Sequence, residues 1–182
     1  MSRIISGQWK GRKIIAPNKL KARPTTDRAK EALFNILRSH IDWEETEALD
    51  LFGGIGSIAL EMASRYCKQV VCVEKDARAV AFIQTYAAQL QADNIQVIRS
   101  EVLQFLRSSF LRFDFIFADP PYDFANYAEM IAEIEHRKML KPNGMLVIEH
   151  GQETDLQHFA GFEVMRVYGR VHFSFFRFEE NP

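Results

Sequence analysis

The chain has 182 residues, with Lys and Arg numbering 23 against 24 Asp and Glu, and hydrophobic residues make up 47% of it. That composition suits a folded domain with a sizeable core, and it excludes a low-complexity or disordered chain. The longest apolar run, Ala79 to Ile83, is far too short for a membrane-spanning helix or the apolar centre of a signal peptide. The near-neutral total conceals a split. Residues 1–30 hold nine bases, Arg3, Lys10, Arg12, Lys13, Lys19, Lys21, Arg23, Arg28 and Lys30, against Asp27 alone, a net +8. The other 152 residues carry 14 bases and 23 acids, a net −9. Such asymmetry marks either a basic arm that docks on phosphate or a solvated terminus.

Ser2 to Ser6 and Arg12 to Ala16 each contain an Ile pair and flank Gly7-Gln8-Trp9-Lys10-Gly11, which predicts a β-hairpin. Pro17 and Pro24 hold an extended linker. Thr25, Thr26 or Asp27 then caps a helix running to about His40, with Ala29, Leu33, Phe34, Ile36 and Leu37 largely on one face. From residue 47, short apolar runs alternate with amphipathic segments. Strands are expected at Ala48 to Phe52, Gln69 to Glu74, Ile95 to Ile98, Phe113 to Ala118 and Met145 to His150. Helices follow the first four, ending near Arg65, Gln91, Arg107 and Arg137, and Lys141 to Gly144 turns the chain into the fifth strand. Glu163 to Tyr168 and Val171 to Phe178 are joined by two residues only, so they must be antiparallel. The expected fold is α/β: a doubly wound, seven-stranded, mostly parallel sheet closed by an antiparallel C-terminal hairpin, with the N-terminal hairpin as a separate arm. Residues 1–25 form the arm and linker, and 26–182 the main domain.

Ligands of doubly wound sheets sit beyond the carboxyl ends of the strands. Those ends offer Gly53, Gly54 and Gly56, then Glu74, then Ser100 and Glu101, then Asp119-Pro120-Pro121-Tyr122. Gly54 to Ala59 satisfies G-x-G-x-x-G/A, and Glu74 lies eighteen residues beyond Gly56, where a ribose-binding acid belongs. An NAD-dependent dehydrogenase shares both features, and a tight turn without a ligand shares the first. Asp50, just before the glycines, is poorly placed beside a pyrophosphate but well placed beside a cationic cofactor such as S-adenosylmethionine; alternatively it caps the following turn. Two prolines after an apolar strand end it, because neither has an N–H to donate. Asp119 and the Pro120 carbonyl are then two adjacent acceptors for the hydrogens of an exocyclic amine, with Tyr122 as a ring for a flipped base. Cys67 and Cys72 lack metal-ligand spacing and read as core thiols in a reducing compartment, and no metal is expected. None of the five histidines has a visible partner in the sequence.

Asp119-Pro120-Pro121-Tyr122, together with Asp50-Leu51-Phe52-Gly53-Gly54-Ile55-Gly56, resembles the motif pair of S-adenosylmethionine-dependent amino-group methyltransferases. Arg3 to Gly7, Lys10-Gly11-Arg12, Arg23 to Arg28 and Glu31 to Leu37 narrow the resemblance to the RsmD family, which methylates a guanine N2 in bacterial small-subunit ribosomal RNA. The similarity covers nearly the whole chain, Tyr168-Gly169 included. Ile55 stands where that family usually has Ser or Thr, and Glu101 where it usually has Asp. The resemblance implies a Rossmann-like class I methyltransferase with cofactor contacts from Asp50, Phe52, Gly53, Gly54, Gly56, Glu74, Lys75, Glu101, Val102 and Asp119. It implies catalysis at Asp119, Pro120, Pro121 and Tyr122, and RNA contacts from Arg3, Lys10, Arg12, Lys13, Lys19, Lys21, Arg23, Thr25 and Arg28. The expected partner is ribosomal RNA in a small-subunit assembly intermediate, met by a cytoplasmic monomer with no membrane contact. Only about 45 residues precede the first core strand, too few for a separate DNA-reading region. Two alternatives stay open: methylation of another nucleobase amine, such as adenine N6, and a non-catalytic RNA-binding protein.

Overall fold

A computed structural model describes residues 2–17, 20 and 26–178. Two short strands, β1 (Ser2–Arg3) and β2 (Lys13–Ile14), pair antiparallel as the N-terminal hairpin. Helix α1 (Asp27–Leu37) begins at Thr26, whose hydroxyl accepts the Ala29 N–H at 3.2 Å. The 3₁₀ turn at Trp43–Glu45 was not anticipated; Asp42 caps it through the Glu44 N–H. Then come β3 (Glu47–Leu51), α2 (Ser57–Ser64), β4 (Gln69–Glu74), α3 (Ala77–Leu90), β5 (Ile95–Arg99), α4 (Val102–Ser108), β6 (Phe113–Ala118) and α5 (Tyr127–His136). The chain closes with β7 (Leu140–His150), β8 (Phe162–Tyr168) and β9 (Val171–Phe176).

The large sheet has the order β5-β4-β3-β6-β7-β9-β8. Pairs from β5 through β7 are parallel, and β9 is antiparallel to both β7 and β8, as the two-residue connection requires. The expected turn at Lys141 to Gly144 lies inside β7 as an irregularity, with a register shift against β6 between Phe113 and Phe115. Asn143 is left-handed there, and a Cβ on Gly144 would lie 2.8 Å from the Lys141 carbonyl oxygen. One face of the sheet packs against α4 and α5 around Leu106, Met130, Ile134 and Ile148. The other packs against α1, α2 and α3 around Leu33, Phe34, Phe115, Phe117, Val147 and Phe173. Cys67 and Cys72 are free and buried.

The N-terminal hairpin packs directly onto the domain. Ile4 and Ile14 are fully buried with Leu60 of α2 and Ala87 of α3. At Gly7 an added Cβ would lie 1.8 Å from the Ser64 carbonyl oxygen, so the hairpin loop touches the end of α2 backbone to backbone. Gln8 N–H donates to that same oxygen at 2.8 Å.

Candidate active site

Between β3 and β6 the chain departs in opposite directions, so the crevice beyond their carboxyl ends is the switch point of the sheet. The loop leaving β3 is strained. Phe52 has φ 67°, a conformation rare for a bulky residue and costing on the order of 1–3 kcal/mol. Gly54 and Gly56 are also left-handed, and Gly56 takes the N-cap position of α2. Gly53 has a packing reason to lack a side chain, since a Cβ there would lie 2.4 Å from Cys72 Sγ.

Glu74 ends β4 facing this loop. Its Oε2 accepts the Gly54 N–H at 2.7 Å and its Oε1 the Asp76 N–H at 2.8 Å. Two backbone donors thus fix the carboxylate, and each oxygen retains acceptor capacity for a ligand. Lys75, next along, is exposed.

Asp50 is only 2% exposed, and its Oδ2 accepts the Ala59 N–H at 3.0 Å. The contact found is therefore the turn-capping one, tying β3 to α2. Burial pushes its carboxyl pKa up to about 8, with Glu74 and Glu149 adding to the rise. At neutral pH the group is mostly protonated, which takes away much of the negative charge expected there. Glu101 caps α4, its Oε2 accepting the Gln104 N–H at 3.0 Å, and Val102 is buried in the core.

Beyond β6, Asp119 is half-buried, Pro120 is buried, and Tyr122 is 83% exposed. The Phe124 N–H donates to the Pro121 carbonyl at 2.9 Å and folds the loop back. An aromatic row then joins the two loops, with Phe52 edge-on to Phe124 at 5.1 Å and Phe124 edge-on to Tyr127 at 5.2 Å. The Tyr127 hydroxyl is hydrogen-bonded to Thr154; burial raises its pKa, and nearby Asp119 adds to the rise. Sequence reasoning missed Phe124 and Tyr127. Their spacing after Tyr122 was the available signal, but it sits in a segment read only as the entry to a helix.

The structure divides the basic arm. Arg3 and Arg28 are exposed near the start of α1, where the Arg3 N–H donates to Asp27 and Ser2 Oγ lies 2.8 Å from Ser57 Oγ at the start of α2. Lys10 belongs to the loop seated on Ser64, at the other end of that helix, roughly 10 Å away at 1.5 Å per residue. Arg12 and Lys13 are exposed on the hairpin between these positions. Lys30 corrects the charge count. It is wholly buried, 3.8 Å from Glu61, and cannot meet a phosphate. Lys19, Lys21, Arg23 and Thr25 lie outside the described residues.

This is the α/β, Rossmann-like fold of class I methyltransferases, with acids and a glycine loop at its switch point. Precorrin-6y C5,15-methyltransferase from Geobacter metallireducens shares it at a TM-score of 0.65 and 17% identity, covering 91% of this chain and 94% of that one. A family model described as Conserved hypothetical protein 95 matches residues 2–177. Ribosomal RNA small subunit methyltransferase D of Escherichia coli K12 is 34% identical over 154 residues, which is 85% of this chain and 77% of that protein. The solved structure of Thermus thermophilus hypothetical protein TTHA0928 has a TM-score of 0.85 at 28% identity, covering 97% of this chain and 99% of that one. The chain belongs to the RsmD family.

Methyltransferases of this kind use S-adenosylmethionine. The residues present fit it. Glu74, fixed by two backbone donors, retains the acceptor capacity that two ribose hydroxyls would need, and the left-handed turn at Gly54 and Gly56 carries no Cβ that would hold a ligand off the backbone.

Proposed function

We propose that this protein transfers a methyl group from S-adenosylmethionine to the exocyclic N2 amine of a guanine in small-subunit ribosomal RNA. The observation that carries the reading is the pairing of two loops at one crevice. The prefixed Glu74 stands at the end of β4, and half-buried Asp119 with the exposed Tyr122 ring stands at the end of β6, one strand beyond β3. The name of the Escherichia coli relative points to the same class of RNA.

The bound cofactor supplies an electrophilic methyl group on a sulfonium centre. Glu74, Gly54 and Gly56 hold it, with Phe52, Gly53, Lys75, Glu101 and Val102 around them and Asp50 bracing the loop from below. Tyr122 offers its face to the guanine ring. The Asp119 carboxylate and the Pro120 carbonyl accept the two amine hydrogens, which favours a pyramidal nitrogen with its lone pair free for an in-line attack. In this reading the C–N bond forms as the methyl–sulfur bond breaks, its electron pair staying on sulfur, and Asp119 takes the proton that the nitrogen then sheds. Neither cysteine takes part. The acting unit in this reading is a cytoplasmic monomer that meets a small-subunit assembly intermediate, guided by Arg3, Arg28 and the hairpin cations.

The test is transfer of tritiated methyl from S-adenosylmethionine to small subunits lacking the modification, alongside naked small-subunit RNA, followed by nucleoside analysis. N2-methylguanosine is the expected product. Another methylated nucleoside would overturn the assignment of the amine, and no incorporation into either substrate would overturn the reaction.

A further inference from the structure

At the far flank of the crevice, β8 and β9 meet in a tip at Tyr168-Gly169-Arg170-Val171, turned by Gly169 at φ 63°. Strand register sets its height. Ala118 pairs with Ile148, His150 with His172, and His172 with Val167. The tip therefore rises beyond the carboxyl edge, just past the level of Asp119, with β9 about 10 Å from β6 across two strand spacings and β8, which carries Arg166 and Tyr168, about 14 Å away across three. A chain of contacts joins it to Tyr122. A Cβ on Gly151 would lie 3.7 Å from the Tyr122 ring, and the neighbouring His150 ring is edge-on to His172 at 5.5 Å.

This tip exposes Arg166, Val167, Tyr168 and Arg170. Among the described residues neither arginine is drawn into an ion pair. Arg166 pairs across the ladder with Phe173, which packs on the α1 face of the sheet, so Arg166 stands on the same face as Arg28 at the start of α1. Guanidinium forks flanking an exposed ring suit a nucleic-acid strand, phosphates taking the forks and a base or ribose taking the ring. An acidic protein surface would use the charges but has no call on the ring.

Building on the function proposed above, we propose that the β8–β9 tip is a second RNA clamp. Arg166 and Arg170 hold phosphates beside the target nucleotide, Tyr168 stacks on a flanking residue, and Arg3 with Arg28 grips the strand from the other flank of the pocket.

The experiment compares full-length wild type, Arg166→Ala/Arg170→Ala and Tyr168→Ala, measuring binding to small-subunit RNA across a salt series. The double variant should bind roughly ten-fold more weakly, with the slope of log affinity against log salt shallower by about 1.5, since each phosphate contact contributes about 0.7–0.9. Tyr168→Ala should lose affinity with the slope unchanged. Melting temperature and affinity for S-adenosylhomocysteine should match wild type in both. A double variant with wild-type RNA affinity and slope overturns the clamp, and if wild type still yields N2-methylguanosine, the assigned reaction stands without it. Wild type that binds no small-subunit RNA overturns both. A double-variant binding defect that is present on intact subunits but absent on naked RNA identifies a ribosomal protein as the partner and also overturns the clamp.

Discussion

Lys30 Nζ stands 3.8 Å from Glu61 Oε2, and neither side chain has any exposed surface. Lys30 also donates to the Arg3 carbonyl at 2.7 Å, and to Ser2 Oγ and Ser57 Oγ at 3.1 Å each. Glu61 accepts the Ile5 and Ser6 N–H groups at 2.6 and 3.1 Å, and Arg65 Nε at 2.8 Å. One buried ion pair thus fastens the N-terminal hairpin to α2, beside the glycine loop.

Removing Lys30 leaves the buried Glu61 carboxylate with Arg65 as its counter-charge and strips the Arg3 carbonyl of its donor. Lys30→Met should therefore cost about 3 kcal/mol, the low end for a broken buried pair. Adding Glu61→Leu should recover only part of this, because the Ile5 and Ser6 N–H groups then lose their acceptor. Urea midpoints of the two variants check this, and full recovery in the double variant would show that the backbone donors find other partners.

Gly7 and Gly11 are both left-handed, at φ 83° and 86°, but differ in surroundings. A Cβ at Gly11 meets nothing within 4 Å, so Gly11→Ala should cost only the backbone strain, about 1–2 kcal/mol. A Cβ at Gly7 overlaps the Ser64 carbonyl, so Gly7→Ala must lift the loop off α2 and break the Gln8 and Trp9 hydrogen bonds to Ser64. Thermal melts should show a several-fold larger loss at Gly7. Equal losses would mean the loop is not seated as described.

Asp50 gives a pH signature. Its pKa rises from 3.8 to about 8 on folding, so between those values the native state holds a proton the unfolded chain has released. Stability then falls as pH rises through that window. Asp50→Asn keeps a carbonyl oxygen for the Ala59 N–H but does not titrate. Relative to wild type, the variant should gain stability from pH 4.5 to pH 8, measured by denaturant unfolding, and a pH-independent difference would refute the shift.

Asp119 and Glu74 should separate kinetically. Asp119→Ala removes a transition-state contact and should lower kcat by about 100-fold or more, with S-adenosylhomocysteine affinity kept within about three-fold. Glu74→Ala removes the acceptor for two ribose hydroxyls and should weaken that affinity by about 100-fold or more, at roughly 1.5–3 kcal/mol for each hydrogen bond to a charged group. Calorimetry and single-turnover assays read the two effects, and near-normal turnover by Asp119→Ala would sink the proposed chemistry.

Period and punctuation alone determined the framework of this protein. Gln69–Glu74 and Phe113–Ala118 fall where alternation and apolar runs put them, and α3 starts just after Asp76, whose Oδ1 accepts the Arg78 N–H. These are local consequences of side-chain periodicity and backbone sterics. The separation of Glu74, Asp119 and the glycine loop along the chain already implied convergence, because parallel strands carry their carboxyl ends to one edge. Only the tertiary structure decided which charges are available. Lys30 looks like its neighbours in the basic arm, yet the helix face it occupies turns inward to Glu61. Asp50 reads as an anion, yet burial leaves it mostly protonated. Charge in a sequence is a property of an isolated residue, whereas solvation depends on what packs around it, and that is settled by contacts such as Lys30 to Glu61, thirty-one positions apart.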